Sequence, residues 1–154
     1  MAMNINELMI GNLVYANVYL RDPNHIPEIT QIPVKVIGIG DNGDIVIVKY
    51  EDRKTLITSD RLIPIQLTAE ILEKNWFVNK TQFMQCGRFG RDFLITWQLK
   101  EEKVLGYCPA FLCINNWSEG DRPSYRGICL YVHELQNALR CCRLEKMARE
   151  FKVL

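Results

Sequence analysis

The distribution of apolar and polar positions changes character near residue 67. Residues 8–20 are rich in apolar and β-branched side chains behind Gly11-Asn12 and predict a first strand. Residues 21–33 carry Pro23, Pro27 and Pro33, whose fixed φ and missing N–H groups predict a long irregular loop. Val34–Gly40 and Ile45–Tyr50 are strand-like runs around Asp41-Asn42-Gly43-Asp44, and Asn-Gly supplies the positive φ angles of a tight hairpin. Glu51–Lys54 predicts a second turn, Thr55–Thr58 a short strand, Ser59–Arg61 one helical turn and Leu62–Leu67 a last strand. Five short strands with one long early connection predict a small SH3-like β-barrel over residues 1–67, because closure removes exposed edges. A twisted open meander is the alternative.

Residues 68–154 follow a different rhythm and predict an α-β-β-β-β-α unit. Thr68 is suited to cap a helix Ala69–Lys74, with Glu70 in its first turn and Asn75 leaving it in a left-handed conformation. Strands are predicted at Phe83–Phe89, at Asp92–Leu99, at Val104–Ile114 and at Gly127–Tyr131. In the second of these Phe93, Ile95, Trp97 and Leu99 share a face, and in the third Pro109 marks an edge or a bulge. Val132, Leu135, Leu139 and Cys142 form one helical stripe that breaks at Arg143, and Leu144–Phe151 predicts a further short helix. The expected whole is α+β: the barrel, then an antiparallel sheet with two or three helices on one face.

Composition narrows the function. The 154 residues carry 19 basic and 18 acidic side chains, spread along the chain, which lacks the basic footprint of phosphate-backbone binding. No apolar run reaches the roughly 20 residues of a membrane span, and the start of the chain lacks the basic and apolar regions of a signal peptide, so a cytoplasmic setting is expected. Cys86, Cys108, Cys113, Cys129, Cys141 and Cys142 include no Cys-x-x-Cys pair, and His25 and His133 lie far apart, so neither a metal site nor a cofactor is expected. These thiols read as small buried apolar groups, with one of Cys141 and Cys142 turned outward, because helical neighbours point about 100° apart.

Three motifs invite chemistry and fall short of it. Gly38-Ile39-Gly40-Asp41-Asn42-Gly43 matches a dinucleotide fingerprint but is followed by a strand, whereas the pyrophosphate needs a helix N-terminus. His133-Glu134-Leu135-Gln136-Asn137 opens like a zinc-protease motif but ends on Asn137 where the second ligand belongs. Cys129 and His133 supply a thiol and an imidazole four residues apart, but one lies in a predicted strand and the other opens a helix, so their side chains are not expected to meet. The segment 115–126 fits a core least well. Its Trp117, Arg122, Tyr125 and Arg126 have the aromatic-plus-arginine composition of binding hot spots, against the alternative that Trp117 folds back onto the sheet. Gln136, Arg140 and Arg143 share a helix face and read as a solvated one.

Three stretches carry a resemblance. They are Asn6–Val14, with its Ile10-Gly11-Asn12; Ile63–Phe77, with its Ile63-Pro64 and Leu67-Thr68-Ala69-Glu70-Ile71-Leu72; and Tyr131–Arg140, with Tyr131-Val132-His133-Glu134-Leu135-Gln136-Asn137. In order and spacing the chain resembles a set of uncharacterised small proteins of gut-type anaerobic bacteria and their phages and mobile elements. It departs from their pattern at Trp76 and Arg143, where those proteins usually place glycine after a helix. The resemblance implies a phage- or mobile-element-associated setting and no particular activity.

The expectation is therefore a non-enzymatic binding or adaptor protein that engages a protein partner through Trp117, Arg122, Tyr125 and Arg126, with no catalytic residue. One alternative is a nucleic-acid-binding accessory protein using Arg140, Arg143, Lys146 and Arg149. Another is an enzyme built on Cys129 or His133.

Overall fold

The computed structural model describes residues 3–20, 28–87, 93–99, 110–119 and 123–154. The chain is α+β, with two five-stranded antiparallel sheets, and divides into units Met1–Ile65 and Gln66–Leu154. The predicted strand Val104–Ile114 falls partly outside the described residues, as do His25, Cys108, Pro109 and Arg122.

The first unit contains β1 (Leu13–Leu20), β2 (Glu28–Ile39), β3 (Ile45–Tyr50), β4 (Arg53–Thr58) and β5 (Leu62–Ile63), in the spatial order β4-β3-β2-β1-β5. The expected hairpin forms between β2 and β3, but of the Asn42–Gly43 pair only Gly43 takes a positive φ, +70, and its N–H donates to the Gly40 carbonyl at 2.9 Å. Alternation then sorts the strands: Val46 and Val48 point inward and join Val14, Ala16, Val34, Val36, Ile57 and Leu62 in one core. A register shift between Val36 and Gly38 marks a bulge in the long β2. Glycine fits beside it because a Cβ at Gly38 would stand 3.0 Å from Ile47 Cδ1. No ladder among the described residues joins β4 to β5 to close the sheet.

Residues 28–33 lie in β2, not in the irregular loop that the prolines suggested. The ladder explains the tolerance. Val36 N–H donates to the Asn12 carbonyl at 2.9 Å, so bonded pairs alternate from there and Pro33 meets Tyr15 in a non-bonded pair. On its other side β3 has already ended at Tyr50. Pro33 is spared the donor it lacks.

The second unit opens with α1 (Ala69–Glu73), followed by β6 (Val78–Asn79), β7 (Met84–Gly87), β8 (Phe93–Leu99), β9 (Ala110–Asn116) and β10 (Tyr125–Ile128). These strands form a sheet in the order β10-β9-β8-β7-β6, and α2 (Val132–Cys141) and α3 (Glu145–Glu150) complete the unit. The short β6 went unread in the sequence, and the final strand comes two residues earlier than expected. Thr68 caps α1 as expected, its Oγ1 accepting from Ile71 N–H at 3.3 Å. One sheet face is apolar and buried, with Met84, Cys86, Ile95, Trp97, Leu112 and Ile114. The α2 stripe of Val132, Leu135, Leu139 and Cys142 is buried as well.

Two helix ends differ from expectation. Asn75 does not take the left-handed conformation; Trp76 does, at φ +70. Asn75 is fully buried instead, and its amide bonds the backbone of Lys152 in both directions, at 2.6 and 2.7 Å, as well as the Ile71 carbonyl at 2.7 Å. Gln136 is not on a solvated face. It is fully buried and donates to the Ala148 carbonyl at 2.8 Å, because α3 folds back along α2.

Candidate functional site

The residues singled out between 115 and 126 do not share one loop. Asn115 and Asn116 end β9, Trp117–Glu119 forms a 3-10 turn, and Tyr125 and Arg126 begin β10. Asn116 builds the turn. It is buried, its amide donates to the Cys142 carbonyl at 2.7 Å, and its Oδ1 accepts from the Ser118 hydroxyl at 2.6 Å and the Ser118 N–H at 3.3 Å. The Asn116 N–H in turn donates to Ser124 Oγ at 3.2 Å. Trp117 is therefore carried on backbone fastened to the end of α2, with its side chain 44% exposed.

Period-two alternation separates the other two described members. Arg126 stands opposite Cys113 and is exposed, whereas Tyr125 stands opposite the buried Ile114. Tyr125 folds along its own strand: a Cβ at Gly127 would stand 2.8 Å from the Tyr125 hydroxyl, so a larger residue there requires the ring to shift. Burial raises the Tyr125 phenol above its ordinary range, assisted by Cys129 and Glu134. The face carrying Arg126 also carries Ile128 directly opposite Phe111, both substantially exposed. Both residues fall in predicted strands, but their apposition went unread because the pairing register joins positions seventeen residues apart.

The thiol and the imidazole are both buried. Cys129 is buried, its Sγ lies 3.7 Å from the Tyr131 carbonyl, and its own carbonyl accepts from Trp97 Nε1 at 3.0 Å. Burial, with the Glu134 charge behind it, holds this thiol protonated far above the usual thiol range. His133 is buried and stacks on Tyr131, ring centroids 5.8 Å apart. Glu134 serves the start of α2, its Oε2 accepting from the N–H groups of Leu130 at 2.7 Å and Tyr131 at 3.0 Å. Burial likewise pushes Cys86 up to about 11, while Cys141 is exposed and Cys142 buried, the split expected of helical neighbours. Mild alkylation at neutral pH is expected to label Cys141 before Cys86, Cys129 and Cys142; peptide mapping that finds Cys129 modified at an equal rate would contradict this burial.

The basic residues of the last two helices are interleaved with acids. Arg140 Nε lies 3.5 Å from Glu145 Oε2, and its Nη1 donates to Asn137 Oδ1 at 3.2 Å. Lys146 pairs with Glu150 at 4.0 Å.

A second feature lies where the two helix ends approach the sheet. Trp76, Cys86, Gly87, Phe93, Arg143, Leu144, Lys146, Met147 and Glu150 line a cleft of about 470 Å³. Both helix ends are Schellman turns: Phe77 N–H donates to the Leu72 carbonyl at 3.2 Å, and Leu144 N–H to the Leu139 carbonyl at 2.8 Å. The left-handed position of each turn favours glycine, yet holds Trp76 at φ +70 and Arg143 at φ +58. A side chain there costs about 1–2 kcal/mol.

Comparison with known protein families, with curated proteins and with solved structures finds no match to the chain. Among the described residues, no helix is long and apolar enough to cross a membrane.

Proposed function

We propose that the chain is a non-enzymatic binding or adaptor protein that engages a protein partner through the exposed side chains of Trp117 and Arg126. The observation that supports this reading is an exposed indole on a turn fastened by the buried amide of Asn116. A large aromatic surface ordered before binding loses little conformational freedom when a partner covers it. Arg126 and the Phe111–Ile128 pair extend the same reading along β9 and β10 with the mixture typical of partner surfaces. The pairing of Arg140 and Lys146 with Glu145 and Glu150 favours a protein over a phosphate backbone.

In this proposal the first unit is an SH3-like barrel scaffold. Its support is the strand order β4-β3-β2-β1-β5, the 3-10 turn Ser59–Arg61 directly before β5 and the bulge that bends β2. The proposed setting is a cytoplasm hosting a phage or mobile element, as the motif resemblance implies.

Affinity capture from such a host, with and without nuclease, tests the reading. Trp117→Ala and Arg126→Ala are expected to weaken capture of the same protein at least tenfold, about 1.4 kcal/mol, with the unfolding midpoint unchanged. Equal capture by both variants, or capture abolished by nuclease, removes the proposal.

A further inference from the structure

The sheet of the first unit ends on β4, which among the described residues has a ladder on one side only, to β3. Ser59 N–H donates to the Asp44 carbonyl at 2.9 Å, so bonded and non-bonded pairs alternate from there along β3 and β4. Lys54 opposite Lys49 and Leu56 opposite Ile47 are non-bonded pairs, so the N–H and C=O groups of Lys54 and Leu56 point to the free edge. Their side chains stand on the outer face with Ile45 and Ile47, because Val46, Val48 and Ile57 take the inner one. Leu56 is 66% exposed, Ile45 48% and Ile47 38%.

Charge on this face runs in a row. The register sets Lys35 opposite Lys49 and Lys49 opposite Lys54, like charges on neighbouring strands that weaken the sheet. Lys49 reaches Asp52 at 3.8 Å in a pair open to water, and Lys54 has no ion-pair partner among the described residues. A carboxylate on an added strand opposite Lys54 relieves the row at its open end, and an apolar side chain two residues away meets Leu56. A second copy of β4 supplies no carboxylate, since Arg53–Thr58 contains no acid, and an edge lysine deters such self-pairing. A nucleic-acid strand gains the lysines, but Ile45, Ile47 and Leu56 offer its bases no ring to stack on. We infer that the free edge of β4 is a docking site for an extended peptide segment of a partner protein, with an acidic side chain opposite Lys54 and an apolar one opposite Leu56. The added strand runs antiparallel, the more stable pairing per residue.

The surface belongs to the first unit and draws on neither Trp117 nor Arg126. Fluorescence anisotropy with the labelled peptide Thr-Val-Thr-Val-Thr-Glu-Thr tests it, the second valine falling opposite Leu56 when the glutamate meets Lys54. Replacing the glutamate by lysine is expected to weaken binding about tenfold, and the affinity of the parent peptide is expected to fall as salt rises. N-methylation of the second valine removes a donor to the edge and is expected to abolish binding. N-methylation of the threonine after it, whose N–H points away, is expected to leave most of the affinity. Lys54→Glu is expected to reverse the preference between the two peptides without lowering the unfolding midpoint, a pair of results that a purely structural role does not produce. No binding of the parent peptide at millimolar concentration, equal binding of the two N-methylated forms, or an unreversed preference in Lys54→Glu each overturns the inference. So does tighter binding of oligothymidylate, or a free protein that is dimeric until the peptide is added.

Discussion

Asn75→Ala is expected to destabilise the protein by about 2–4 kcal/mol and to lower the unfolding midpoint by roughly 6–12 °C. The size follows from what the amide does. It donates to the carbonyls of Ile71 and Lys152 and accepts from the Lys152 N–H, all within 2.6–2.7 Å and with Asn75 itself fully buried. Alanine removes every partner at once and leaves backbone groups in surroundings where water cannot replace them. Two elements far apart in the chain lose their tie, the end of α1 and the strand-like tail after α3. Hydrogen exchange is expected to accelerate first around Phe151–Val153, before global unfolding. A midpoint within 1 °C of the parent would show that this tie contributes nothing.

Trp97→Ala is expected to cost about 3–5 kcal/mol, and Trp97→Phe about 1–2 kcal/mol. Trp97 sits on the buried face of β8, and its indole N–H donates to the Cys129 carbonyl at 3.0 Å across the turn into α2. Alanine opens a cavity in the centre of the second unit. Phenylalanine fills most of that volume but leaves the carbonyl without its donor, so the difference between the variants separates packing from hydrogen bonding. Urea denaturation at equilibrium checks both values. Equal destabilisation by the two variants would mean that the bond, and not the cavity, dominates.

Local features were legible in the sequence. The Asn42–Gly43 hairpin, the Thr68 cap and the stripe Val132–Leu135–Leu139 each depend on residues within a turn or two of one another. Long-range pairing was not. Nothing near Asn75 announces that its amide will bond Lys152, and without that partner a left-handed exit was the reasonable expectation. Gln136 read as a surface residue because only the fold-back of α3 buries it. The candidate partner residues were legible as types but not as an arrangement: a strand boundary two residues earlier sends Tyr125 and Arg126 to opposite faces. The cleft was legible only as two odd residues, Trp76 and Arg143, because the rest of its walls come from β7, β8 and α3, which are distant in sequence.

Pro33 also bears on how the first unit folds. Sliding β2 by one position along β1 would turn Val34 and Val36 toward water and bring the imide nitrogen to a place where the neighbouring carbonyl expects a proton. The ring is harmless in the native alignment and obstructive in its nearest competitors. The ring thereby adds to the preference of β2 for its native alignment over the one-residue slips beside it.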